Sequence, residues 1–165
     1  MKNFLFYIKR IIDTNLKGKV STFENLASLF IMNKEASKDN ITKSNLHFKK
    51  QLPDEYNLFL QNYNGGILFK VDDYAGFKFL SAAELIKHNE FQKGNFVQDW
   101  DSNIILFWEC IGDAEYLGFR ISENDYGYVV HCILDTLPKE WEIIEDSFDN
   151  FINKLIGEKG KKYWL

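Results

Sequence analysis

Cysteine, proline, histidine and long apolar runs are all scarce in this chain, and each scarcity excludes something. Two Cys in 165 residues do not make a disulfide framework. Two Pro leave no proline-rich linker to divide the chain. The N-terminal apolar run Phe4-Leu5-Phe6-Tyr7-Ile8 falls far short of the roughly 20 residues that a membrane span needs. It is also too short for a signal-peptide core, and no small-residue cleavage site follows it. A cytoplasmic location is therefore expected. There is no low-complexity tract and no internal repeat.

What is present is apolar and aromatic. Hydrophobic residues make up 45% and aromatics 16%, with fifteen Phe, enough to build the core of one domain over 1–165. The net charge of −4 is unevenly spread. Residues 1–50 carry ten Lys/Arg and four Asp/Glu, whereas residues 99–149 carry two and thirteen. Such asymmetry can steer a partner of opposite sign.

Apolar periodicity predicts the elements. Phe4, Leu5, Ile8, Ile11 and Ile12 place a helix over 2–16, closed by Lys17-Gly18-Lys19. Ser21 and Glu24 read as a capping box opening a second helix with Phe23, Leu26, Ala27 and Phe30 on one face. Residues 33–45 are polar and read as a flexible connection, after which Ser44 caps a short, weakly marked helix. In LPDEYNLFLQNYNGG (52–66), Pro53 starts a helix, Asp54 and Glu55 favour its N-terminus, and Tyr56, Phe59, Leu60 and Tyr63 share one face. Asn64-Gly65-Gly66 stops it and turns the chain into a strand.

Residues 77–80 read as another strand, and Ser81 with Glu84 caps a helix to about Asn89. Segments 104–111, 116–121 and 128–134 are β-branched and aromatic, with turns at Gly112-Asp113 and Asn124-Asp125. Trp141–Ile144 adds a strand. Asp146 or Ser147 caps a final helix carrying Phe148, Phe151, Ile152 and Leu155. The basic tail 157–165 is expected to be loose, with Trp164 able to pack back. The order predicts α+β architecture: a mostly antiparallel sheet with helices on one face.

Catalytic chemistry finds little support. His47, His88 and His131 lie outside any local zinc or hydrolase signature. Asn64-Gly65-Gly66 runs from helix to strand, the wrong polarity for a phosphate loop. Cys110 and Cys132 read as core thiols. The many carboxylates, among them Asp99, Asp101, Glu109 and Glu123, form no calcium loop. No cofactor and no metal are expected. A sequence pI near 5.4 argues against direct nucleic-acid binding.

Four stretches together resemble the SUKH superfamily, which includes the yeast cell-wall assembly regulator domain and many bacterial immunity proteins. They are Leu52-Pro53-Asp54-Glu55-Tyr56 through Asn64-Gly65-Gly66; Phe79-Leu80-Ser81 with Glu84-Leu85-Ile86; Gly112-Asp113 with Tyr116-Leu117-Gly118; and Asp146-Ser147-Phe148 with Phe151 and Leu155. Residues 1–40 are less typical. The resemblance implies a protein-binding domain without a common catalytic site, acting as an immunity protein against a cognate polymorphic toxin. A regulatory scaffold is the alternative. An acidic surface would occlude a basic toxin, a nuclease being one candidate. Asp72, Asp73, Tyr74, Asp113, Glu115, Tyr116, Asp125 and Tyr126, at strand ends and turns, are the expected contacts.

Overall fold

A computed structural model describes residues 1–165. Its frame is one antiparallel sheet of eight strands in sequential order: β1 Lys17–Ser21, β2 Ala27–Met32, β3 Gly66–Lys70, β4 Gly76–Phe79, β5 Ile104–Ile111, β6 Glu115–Arg120, β7 Tyr128–Ile133 and β8 Glu142–Glu145. Helices α1 Lys2–Ile11, α2 Lys38–Phe48, α3 Asp54–Asn62, α4 Ala82–Phe96 and α5 Phe148–Gly157 precede, interrupt and close it. The architecture is α+β, as the element order predicts.

The main core lies where α1, α3 and α5 meet the sheet. Tyr56 on α3 is fully buried, and its ring lies within 5.7 Å of Phe59, Phe107, Phe119 and Phe148. Its hydroxyl donates to the Leu80 carbonyl at 2.7 Å and lies 3.1 Å from that of Phe107. A register shift between Leu106 and Trp108 breaks the strand alternation. Phe107 and Trp108 therefore both enter this core, Phe107 stacking on Phe119 at 3.9 Å.

The Asn64-Gly65-Gly66 corner has three jobs. The Asn64 side chain accepts the Ala82 N–H at 2.9 Å, capping α4. Gly65 sits at φ +80°, where a Cβ would lie 2.7 Å from the Phe79 carbonyl. A Cβ on Gly66 would lie 2.7 Å from the Ile31 carbonyl. Besides supplying left-handed backbone, these glycines let β3 and β4 close up on their neighbours. Pro53 occupies the N-cap position of α3, with Asp54 and Glu55 in its first turn.

Four expectations for the N-terminal segments and the tail are corrected. First, α1 ends at Ile11, because Asp13 Oδ1 accepts the N–H groups of Asn15 and Lys17 and turns the chain. Lys17-Gly18-Lys19 is strand. Second, residues 21–30 are a hairpin of β1 and β2, not a helix. Third, the polar stretch 33–45 holds most of α2, capped by Ser37. Ser44 is inside that helix, buried, and donates to the Ala82 carbonyl at 2.8 Å. Fourth, the tail is packed: Trp164 lies beside Phe77, Phe151 and His131.

Helix α4 runs to Phe96, past the expected end at Asn89. That extra length completes the sheet. Strand β4 stops at Phe79, opposite Trp108, so the first residues of β5 lack a partner on that side. Asn89, 3% exposed, replaces it: the Leu106 N–H donates to its Oδ1 at 2.8 Å, and its Nδ2 donates to the Leu106 carbonyl at 2.9 Å. Beyond this seam, Phe96 and Trp100 cover a smaller second cluster of Ile104, Leu106, Tyr116, Val130, Cys132 and Trp141.

Asn89→Ala strips both backbone groups of Leu106 of their partner in a dry place. It should lower the unfolding free energy by about 1–3 kcal/mol, read from urea denaturation. A loss below about 0.5 kcal/mol, the range of neutral surface changes, would contradict this role.

Candidate functional site

A meander sends its connections alternately to two ends of the sheet. The turns at 22–26, 71–75 and 112–114 and the β7–β8 connection lie at one end, called here the turn end. The connections containing α2, α3 and α4, and the 121–127 turn, lie at the other. The expected contact residues divide accordingly. Asp72, Asp73, Tyr74, Asp113 and Glu115 come together at the turn end. Asp125 and Tyr126 are at the opposite end.

Tyr116 is corrected outright. It is only 7% exposed, because central strand β6 is paired on both sides and its alternation turns Tyr116 into the second cluster. Its hydroxyl meets His88 Nδ1 at 2.9 Å. Burial, reinforced by Glu109, pushes this phenol up to about 12.

Three tight local contacts shape the turn end. Asp72 Oδ1 accepts the Tyr74 N–H at 2.7 Å. Asp73 pairs with Lys70 at 2.6 Å. The Tyr74 carbonyl rests on Gly112, where a Cβ would come within 2.1 Å of it. These contacts leave the Tyr74 ring 81% exposed. The 22–26 turn forms the next wall. Leu26 N donates to Thr22 Oγ1 at 3.1 Å, and Asn25 takes a left-handed backbone, φ +60°.

The C-terminal tail forms the third wall. Phe23 N donates to the Lys159 carbonyl at 3.0 Å, and Gly160 crosses the Phe69 ring, where a Cβ would lie 2.6 Å from it. Lys162 Nζ donates to Asp113 Oδ2 and Glu115 Oε2, both at 2.7 Å. His131 Nε2 lies 3.2 Å from that same Glu115 oxygen. Burial lowers the Lys162 pKa, but the two carboxylates outweigh it and hold the ammonium above its ordinary value. Between the walls is a cleft of about 550 Å³.

The opposite end is simpler. The Tyr126 hydroxyl donates to the Gln51 carbonyl at 3.0 Å, and its ring borders a recess of about 240 Å³ with Asp54, Glu55 and Asp146. Burial, then Asp54 and Glu55, raise its phenol pKa.

Phe23, Leu26 and Lys162 are the contributors that the sequence pattern hides. Phe23 and Leu26 fit a helical period that the chain does not adopt. The signal available was Asn25, a residue type that tolerates the left-handed turn.

The groups able to do chemistry are dispersed. His47 pairs with Glu90 at 3.0 Å, and burial lowers the His88 pKa. No three His, Cys, Asp or Glu side chains converge as a metal site requires. Both thiols are buried and free. Burial pushes Cys110 up to about 12 and Cys132 well above its ordinary value. On the native protein at pH 8, a thiol reagent such as DTNB should modify neither, and both should react in urea. Rapid labelling of either thiol in the native state would contradict this packing.

Lys162→Met keeps the alkyl stem and removes the clasp. It should cost about 1 kcal/mol in thermal or urea unfolding at neutral pH. Because the ammonium pKa is raised, the contribution stays complete as pH rises from 7 towards the ordinary lysine range and is lost as pH climbs through the raised value. Equal stabilities of variant and parent at pH 7 would show the clasp to be idle.

Comparison with known proteins agrees with this architecture. The SMI1/KNR4 family (SUKH-1) matches residues 35–154. Immunity protein YokJ of Bacillus subtilis (strain 168) is 25% identical over 126 residues, covering 71% of this chain and 72% of that protein. YnaB of the same strain, described as uncharacterized, is 26% identical over 114 residues, 68% of this chain and 70% of that one. The match starts just before α2, runs through β3–β8 and ends within α5. On that extent, the chain belongs to the SMI1/KNR4 (SUKH-1) family.

Proposed function

We propose that this protein is an immunity protein: it binds a cognate polymorphic toxin in the cytoplasm of the producing bacterium and neutralises it by occlusion, without catalysis. The observation that carries this proposal is the similarity to a protein named for immunity, spread over 71% of the chain. Physical features support binding over chemistry. The thiols are buried, and the histidines sit on separate elements.

The turn end is the docking surface in this proposal. Four of the expected contacts, Asp72, Asp73, Tyr74 and Asp113, are exposed there on short, well-tied turns. Rigid turns cost little to order on binding. The carboxylates of the later half favour a basic toxin, for which a nuclease is the simplest candidate. Asp73 and Asp113 are already paired with Lys70 and Lys162. Their contribution is to the long-range field and the approach of the toxin, more than to a new buried ion pair.

Co-expression tests this function. The toxin domain encoded beside this gene should arrest a bacterial expression host, and this protein should restore growth while co-purifying with the toxin. Continued killing at equal expression overturns the immunity role. Binding of envelope-assembly or signalling proteins instead would favour a regulatory scaffold.

A further inference from the structure

We propose that the cleft at the turn end receives the partner's anchoring segment, and that this segment carries an apolar side chain flanked by a cation on one side and a carboxylate on the other. The inference rests on the immunity function and specifies the chemistry of its contact.

The cleft gathers exposed apolar surface that is otherwise scattered. Phe23 (47% exposed), Leu26 (46%), Val71 (40%) and Tyr74 (81%) come from two turns far apart in sequence and line the same space. Clustered apolar side chains rimmed by charge mark interaction sites, whereas isolated ones do not. Tyrosine and phenylalanine are also the residue types that anchor interfaces.

The charges around the cleft are polarised. Glu24 and Asp72 stand on the two turns, and neither forms an ion pair within the chain. Lys161, on the tail wall, is likewise unpaired and exposed. Asp73, Asp113 and Lys162 are already engaged. The unpaired charge thus runs from negative at the turns to positive at the tail. A segment entering the cleft is oriented by the unpaired charges that line it: a lysine or arginine towards Glu24, an acid towards Lys161.

The cleft is also assembled from two origins. Val71, Tyr74 and Asp113 lie inside the 35–154 region that matches the family, whereas Phe23, Leu26 and Lys161 lie outside it. Segments outside the shared region therefore supply one apolar wall and both unpaired lining charges, Glu24 and Lys161. That placement suits a surface that selects one partner among related toxins. The cross-ties from Phe23 to Lys159 and from Gly160 to Phe69 hold the walls in position beforehand.

The test uses the full chain and the purified toxin domain encoded beside its gene, with affinity read by biolayer interferometry. Leu26→Asp and Tyr74→Ala should each weaken the Kd by at least about tenfold. Glu24→Lys should slow association several-fold and flatten its salt dependence. Tyr126→Ala, at the opposite end, should stay within about twofold. All these side chains are exposed, so unchanged circular-dichroism melts identify a binding effect. If the wild-type protein binds and protects while Leu26→Asp and Tyr74→Ala bind equally well, the cleft is overturned and the immunity function stands. If the wild-type protein neither binds nor protects, both are overturned.

Discussion

The structure depends on a close aromatic contact: the Tyr56 ring of α3 set beneath β5 and β6, with its hydroxyl on the Leu80 carbonyl. That contact couples the helix to the centre of the sheet. It also fixes the end of β4, since Leu80 N donates to the Phe107 carbonyl at the point where the strand gives way to α4. Aromatic pairs add about 0.5–1.5 kcal/mol each beyond the area they bury, and Tyr56 takes part in several. The Asn64-Gly65-Gly66 corner makes the arrangement possible. It returns the chain from α3 into β3 at a distance that no side chain would allow, and it caps α4 on the way.

Once that layer is set, the rest of the molecule is a matter of ends. Each antiparallel pairing places the next turn opposite the last, so turns distant in sequence gather on one side. Function is proposed at that gathering, where Tyr74 projects and charge is unevenly distributed. The C-terminal tail takes part directly: Lys162 pairs with Asp113 and Glu115, and Trp164 packs against Phe151 and His131. The excess of acid in residues 99–149 is therefore partly balanced within the molecule, and exposed apolar side chains carry more of the proposed contact than charge alone would.

Much of this was legible in the sequence wherever one local pattern dominated. Helix α3 carried a start, an apolar face and a stop within one short stretch. Strands β5 to β7 were β-branched and aromatic runs set apart by clear turns, and the Ser81–Glu84 box announced α4 without ambiguity. Legibility failed where two periods fitted the same residues. Phe23, Leu26, Ala27 and Phe30 match a helical face, yet residues 17–21 and 27–31 pair as strands across a left-handed Asn25. Helix α2 was hidden because its buried positions are Ile41 and Ser44, too few to show a face. Tyr116 was misplaced because burial across a sheet depends on which face a neighbouring helix covers. Of the cleft only Tyr74 and Asp113 were legible, as exposed turn residues; that they share a space with residues near 23 and 161 was not, because those segments are far apart in sequence.

Hydrogen exchange of the free and toxin-bound protein tests the central claim most directly, because it reports where a partner lands without altering any residue. The account predicts slowed exchange at amides 22–26 and 71–75 on binding, with 121–127 unchanged. Protection confined to 121–127 and the starts of α3 and α5, or none at either end, would contradict it.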